Sequence, residues 1–127
     1  MDILIVGAGG AIGAVLRYWL ALFLVDRVHL GTLPVTTLAV NLLGSFALGA
    51  VLGWLFASVP GGEDILADRL AVFLAVGVCG SFTTYSTFAA DTGYLVRHRD
   101  YRTIAVYIVV TLAGAVAAFL GGFALVR

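Results

Sequence analysis

Four apolar stretches divide the chain, at about residues 3–25, 33–59, 70–96 and 103–126. The first is interrupted by Arg17, the third carries Asp91 near its end, and the second and fourth hold no charge. A helix needs about 20 mostly apolar residues to cross a bilayer, so each stretch predicts one transmembrane helix. Short polar segments separate them at 26–29, 60–64 and 97–102. None has room for a soluble domain. The expected fold is therefore an all-α membrane protein, with residues 1–127 forming a single four-helix unit.

Composition agrees with the pattern. Of 127 residues, 62% are hydrophobic and 11% charged, against about 45–50% and about 25% in soluble domains. A soluble protein of this size leaves too much surface in water to hide so much apolar area. Seven acidic residues balance seven arginines. No net positive field attracts nucleic acid, and hydrophobicity excludes disorder. Cys79, the single cysteine, forms no intrachain disulfide and reads as a small hydrophobe. The N-terminus has neither the positive region nor the cleavage site of a signal peptide, so the first helix is expected to remain. Four crossings put Arg27, Arg97, Arg99 and Arg102 on one side, and Arg69, Arg127 and the amino terminus on the other. So small a bias is a weak orientation signal, and insertion either way round is open.

Residues 3–13 imitate a strand and a dinucleotide-binding glycine turn. That fingerprint needs a βαβ unit with amphipathic helices, and no alternating pattern follows. Small residues four apart predict close helix packing in lipid instead: Gly9 and Gly13, Gly10 and Ala14, Gly49 and Gly53, Gly114 and Ala118, Ala118 and Gly122. Sixteen glycines suggest a tight bundle and a tight oligomer.

Polar groups at membrane depth are costly and mark function. Asn41 lies in the second span, with Gly44 and Ser45 on its face. The third span reads Gly-Val-Cys-Gly-Ser-Phe-Thr-Thr-Tyr-Ser-Thr-Phe over 77–88. Glycines and β-branched hydroxyl residues suit a helix that stops, exposes backbone and restarts. Its first half would end in free carbonyls, which hold a cation, and its second half would begin with free N–H groups, which favour an anion. Tyr85 and Phe88 share a helix face, as do Tyr107 and Thr111, with Ala115 continuing the line. Amide, hydroxyls and the partly positive edges of aromatic rings together suit a small anion. Asp91 reads as interfacial or paired with an arginine. No Ser/His/Asp or Cys/His set and no metal-ligand cluster is present, and His29 and His98 lie in loops. The pattern is not that of an enzyme.

These motifs resemble the Fluc (CrcB) fluoride channels. The likeness is carried by Gly-Ala-Ile-Gly-Ala-Val-Leu-Arg-Tyr at 10–18, Asn-Leu-Leu-Gly-Ser-Phe at 41–46 and the 77–88 segment. It covers essentially the whole chain. The resemblance implies a passive microbial fluoride exporter in the inner (plasma) membrane. It also implies an antiparallel dual-topology dimer, of identical or paralogous chains, with two pores. A central structural Na⁺ would be held by the backbone carbonyls of Gly80 and Thr83. By motif position the pore would be lined by Asn41, the aromatic pair Tyr85 and Phe88, and a fourth-helix track of Tyr107, Thr111 and Ala115. Ser86 and Thr87 would add hydroxyl donors, and Arg17 would serve a vestibule. Two departures stand out: Tyr85 replaces the family's usual phenylalanine, and Ala115 replaces a common hydroxyl residue.

Two other readings compete. A small multidrug transporter also has four short helices, but it needs a midplane carboxylate for proton exchange, and Asp91 lies late in its span. A non-conducting structural subunit would use the same polar groups only to join helices.

Overall fold

The computed structural model describes residues 2–25, 33–58 and 65–127, without the side chains of Asp2, Ile65 and Leu66. The polar segments at 26–29 and 60–64 lie outside the described residues. Helix α1 spans Asp2–Val25 and α2 spans Val35–Ser58. The third crossing is composite. It begins as α3, Ile65–Ala71, and widens into a π-helical segment, Val72–Cys79. A single short turn, α4, Gly80–Phe82, follows. The chain then breaks and restarts as α5, Tyr85–Arg97; α6 is Tyr101–Val126. At 1.5 Å per residue α2 is about 36 Å long, more than the roughly 30 Å hydrocarbon core. Among the described residues four helical runs are long and apolar enough to cross a membrane, the third being Ala67–Arg97 taken as one bent unit.

Residues 3–13 are helical throughout, not strand and turn. A continuous helix satisfies its own backbone, which lipid cannot do. The glycines instead set helix spacing. A Cβ on Gly9 would lie 2.5 Å from the Phe73 carbonyl oxygen, and one on Gly13 would strike the Val78 carbonyl oxygen. Thus α1 rests directly on the π-helical backbone. The same device joins α2 to α6: a Cβ on Gly49 would meet the Phe119 carbonyl oxygen, and one on Gly122 the Phe46 carbonyl oxygen. Gly114 has only ordinary contact, with Leu42.

Among the described residues few large apolar side chains are fully buried: Val40, Leu95 and Tyr107. Many others lie open, including Trp19, Phe56, Val109 and Leu125. In water this would be unstable. In lipid it is the expected outward face of a bundle held by backbone contact.

The turn between α5 and α6 shows how the chain reverses without a long loop. Asp100 N–H donates to the Leu95 carbonyl (3.1 Å) and Arg99 N–H to that of Val96 (3.0 Å). This is a Schellman closure, and it places Arg99 at φ 56°, where glycine is usual. The Asp100 carboxylate then caps α6 by accepting from Thr103 N–H at 3.1 Å.

Candidate functional site

The break in the third crossing lies at Thr83 and Thr84, both extended (ψ 159° and 120°). Its backbone groups are satisfied in specific ways. Thr83 N–H and hydroxyl both reach the Cys79 carbonyl, each at 3.1 Å. The Ser81 hydroxyl donates to the Gly10 carbonyl of α1 at 2.7 Å. From α2, Asn41 pairs with the peptide groups of Thr84. Its Oδ1 accepts from Thr84 N–H (2.8 Å), and its Nδ2 donates to the Thr84 carbonyl (3.1 Å). Gly44, one turn further along α2, gives the break room: a Cβ there would run into Thr83 and Phe82.

The second half restarts on a side-chain cap. The buried Thr84 hydroxyl accepts from Thr87 N–H (3.3 Å) and from the Thr87 hydroxyl (2.9 Å), and lies 3.3 Å from that of Ser86. A hydroxyl has two acceptor positions and one proton. With both positions filled by Thr87, Thr84 has only its proton to offer Ser86. Thr87 has therefore spent its donor inside the cap, while Ser86 keeps its own.

A cavity of about 380 Å³ opens beside the break, between α2, the bent third crossing and α6. It is lined by Asn41 and Ser45 from α2, by Gly80, Thr83, Thr84, Tyr85 and Phe88, and by Thr111 and Ala115 from α6. Most of the residues singled out in the sequence thus meet around one space. Tyr85 stands at its edge, 80% exposed. Its ring lies 6.3 Å from that of Phe88, which lies 5.1 Å from that of Tyr107. Asn41 still has one N–H uncommitted, because an amide carries two donors. Thr111 is buried, and its hydroxyl oxygen has no hydrogen-bond partner among the described residues. A buried polar group without a partner is costly, and this one lies on a residue of the cavity wall.

Other candidates lie apart from the cavity walls. Ser86 and Thr87 turn to Thr84, and Arg17 is half-buried on α1. Tyr107 is fully buried, and its hydroxyl donates to Asp91 at 3.2 Å. Asp91 also accepts from the Thr37 hydroxyl at 2.6 Å. Among the described residues its partners are hydroxyls from α2 and α6, and not an arginine, one of the two alternatives left open by the sequence. Two features escaped the sequence reading. One is Thr84, the hub of the break, although a Thr directly before a helical stretch is a recognisable N-cap signal. The other is the Thr37–Asp91–Tyr107 triangle, which joins three separate helices and has no local signature.

Residues 4–123 match the family described as CrcB-like protein, Camphor Resistance (CrcB). The chain belongs to the CrcB family. It is 38% identical over 123 residues to a protein of Halalkalibacterium halodurans named "Fluoride-specific ion channel FluC 1", covering 97% of this chain and 95% of the relative. It is 40% identical over 117 residues to "Fluoride-specific ion channel FluC" of Ignicoccus hospitalis, covering 91% and 88%. The Rhizobium meliloti protein of that name is 36% identical over 125 residues, covering 98% and 95%. The chain is a multi-pass membrane protein of a channel family, not an enzyme.

Proposed function

We propose that this CrcB-family protein is a passive, fluoride-selective channel that exports F⁻ across a microbial plasma membrane. The observation that carries the reading is the end-to-end similarity to proteins named fluoride-specific ion channels. The cavity supports it chemically. Fluoride is small and strongly hydrated, so a path must replace its water with protein donors that release it again. Thr111, Asn41, Tyr85 and Phe88, which carry a free hydroxyl, a second amide N–H and two rings, line the space in which that exchange would occur. Tyr107 supports the Phe88 ring from behind. Ser86 and Thr87 hold the geometry of the restarting helix, Ser86 with a proton to spare, and Arg17 draws anions toward a vestibule.

The cavity is open on one side, and the lipid-facing surface is broad. A second copy placed antiparallel would close it, giving a dual-topology dimer with two pores. The weak arginine bias allows both insertions, and the partner is an identical or a paralogous chain. The break also suits a structural Na⁺. Sodium takes carbonyl oxygens from broken helices, and Gly80 and Thr83, at the end of the first half, offer such carbonyls. Gly80 is exposed, and a Cβ there would meet nothing nearer than 3.8 Å, so its peptide is approachable. A bound Na⁺ would supply a fixed positive charge that offsets the cost of an anion in low dielectric.

Purified protein in liposomes loaded with fluoride or chloride tests the reading. Rapid F⁻ efflux under a K⁺/valinomycin shunt, with Cl⁻ retained, is expected. Vesicles that hold F⁻ as long as protein-free controls would refute it. A C-terminal reporter accessible from both sides of the membrane is expected for dual topology, and strictly one-sided labelling would exclude the antiparallel pair.

A further inference from the structure

The pairing between Asn41 and Thr84 has a consequence for a residue that Asn41 does not touch. In an unbroken helix each N–H bonds the carbonyl four residues earlier, so Thr84 N–H would belong to Gly80. Instead it donates to Asn41 Oδ1 at 2.8 Å. The preceding N–H, of Thr83, still makes its helical bond to Cys79 at 3.1 Å. Helical bonding therefore stops between these two residues, where α2 supplies a competing acceptor. The other side of the amide holds the exchange in place, because Nδ2 takes the Thr84 carbonyl at 3.1 Å. Gly80 O is left with the Thr83 hydroxyl at 3.5 Å, the outer limit of a hydrogen bond.

We infer that Asn41 is a positioning residue for cation binding: by capturing the Thr84 N–H it frees the Gly80 carbonyl to ligate Na⁺. This rests on the sodium site proposed above and assigns Asn41 a second role beside its place on the fluoride path. The two roles use different atoms. Oδ1 and one N–H of Nδ2 hold the break, and the remaining N–H is uncommitted on a residue that lines the cavity. Glutamine would carry the same amide one methylene too far, and alanine would return the Thr84 N–H to Gly80.

The test reads sodium directly, without fluoride. Thermal unfolding of the purified full-length protein is followed against NaCl at constant ionic strength with choline chloride, giving a half-saturating Na⁺ concentration. Asn41→Ala is expected to raise that concentration at least tenfold. Thr84→Ala provides the structural control: it removes the cap hydroxyl and lowers the unfolding temperature, but leaves the Thr84 peptide paired with Asn41. It is expected to keep the midpoint within about twofold. Asn41→Asp keeps an acceptor for Thr84 N–H and is expected to hold the midpoint at or below the wild-type value. An unchanged midpoint in Asn41→Ala, or an equal rise in Thr84→Ala, overturns the inference. Should Asn41→Ala not fold, Asn41→Gln decides: a tenfold rise in its midpoint upholds the inference, and an unchanged midpoint overturns it. If the wild-type protein itself responds no differently to Na⁺ than to choline, the sodium site fails and this role of Asn41 falls with it, a result distinct from wild-type sensitivity with insensitive variants.

Discussion

Replacing Thr111 by valine separates what stabilises this protein from what makes it conduct. The Thr111 hydroxyl is buried without a partner among the described residues and lines the cavity. An unsatisfied buried hydroxyl costs about 1–3 kcal/mol. Valine has nearly the same shape and no polar atom, so Thr111→Val should stabilise the protein by about 1 kcal/mol or more. Conduction should move the other way. A hydrogen bond to a charged group contributes about 1.5–3 kcal/mol. Its loss, if felt fully at the barrier, slows flux about 10- to 150-fold. Thr111→Ser keeps the donor and should retain most of the flux. The assays are thermal unfolding in detergent and F⁻ efflux from liposomes at matched protein density. A valine variant that is less stable than wild type would show that the hydroxyl has a structural partner. One that conducts at the wild-type rate would remove Thr111 from the path.

Three further outcomes are expected. Phe88→Ile removes the ring that spans Tyr85 and Tyr107; two aromatic contacts of about 0.5–1.5 kcal/mol each predict a flux loss of up to about 10²-fold, with the sizing-column elution unchanged. Gly122→Leu forces a side chain against the Phe46 carbonyl of α2 and should cost about 3 kcal/mol or more, read as loss of a monodisperse peak. Arg99→Gly relieves a left-handed residue at φ 56° and should raise stability by about 0.5–1 kcal/mol, read as a higher unfolding temperature without change in flux.

The helices and the break were legible in the sequence for different reasons. Crossing helices announce themselves by hydrophobic length alone, and α2 and α6 fall within two residues of the expected spans. The third crossing gave itself away by chemistry, since glycines and consecutive threonines form a poor lipid-facing helix. Its π-helical portion over Val72–Cys79 left no mark, because those residues are as apolar as any helix and their backbone contact with Gly9 and Gly13 of α1 is between segments far apart in the chain. The side-chain roles were the hardest to read. Asn41, Ser81, Thr83 and Thr87 count as donors in a list of residue types, yet each spends hydrogen bonds on backbone or on a neighbouring hydroxyl. Residue identity shows how many donors exist; only packing shows which are already taken.

That accounting bears on selectivity and on the competing transporter reading. A proton-coupled cation carrier needs a carboxylate that alternates between proton and substrate in an accessible cavity. Asp91 does not line the cavity; its Oδ2 accepts from Thr37 at 2.6 Å and from Tyr107 at 3.2 Å. Two hydroxyl donors on one oxygen fix the group between α2 and α6. The cavity itself then offers an approaching ion few free donors. Deep sites with many converging donors would trap an anion, whereas a short series of half-committed groups lets it leave. On the proposed function, an amide with one N–H left, the hydroxyls of Ser45, Tyr85 and Thr111, and two aromatic rings would form such a series. Breaking the third helix therefore serves two ends: it opens the cavity, and it commits the hydroxyls of Thr83 and Thr84 to the break itself.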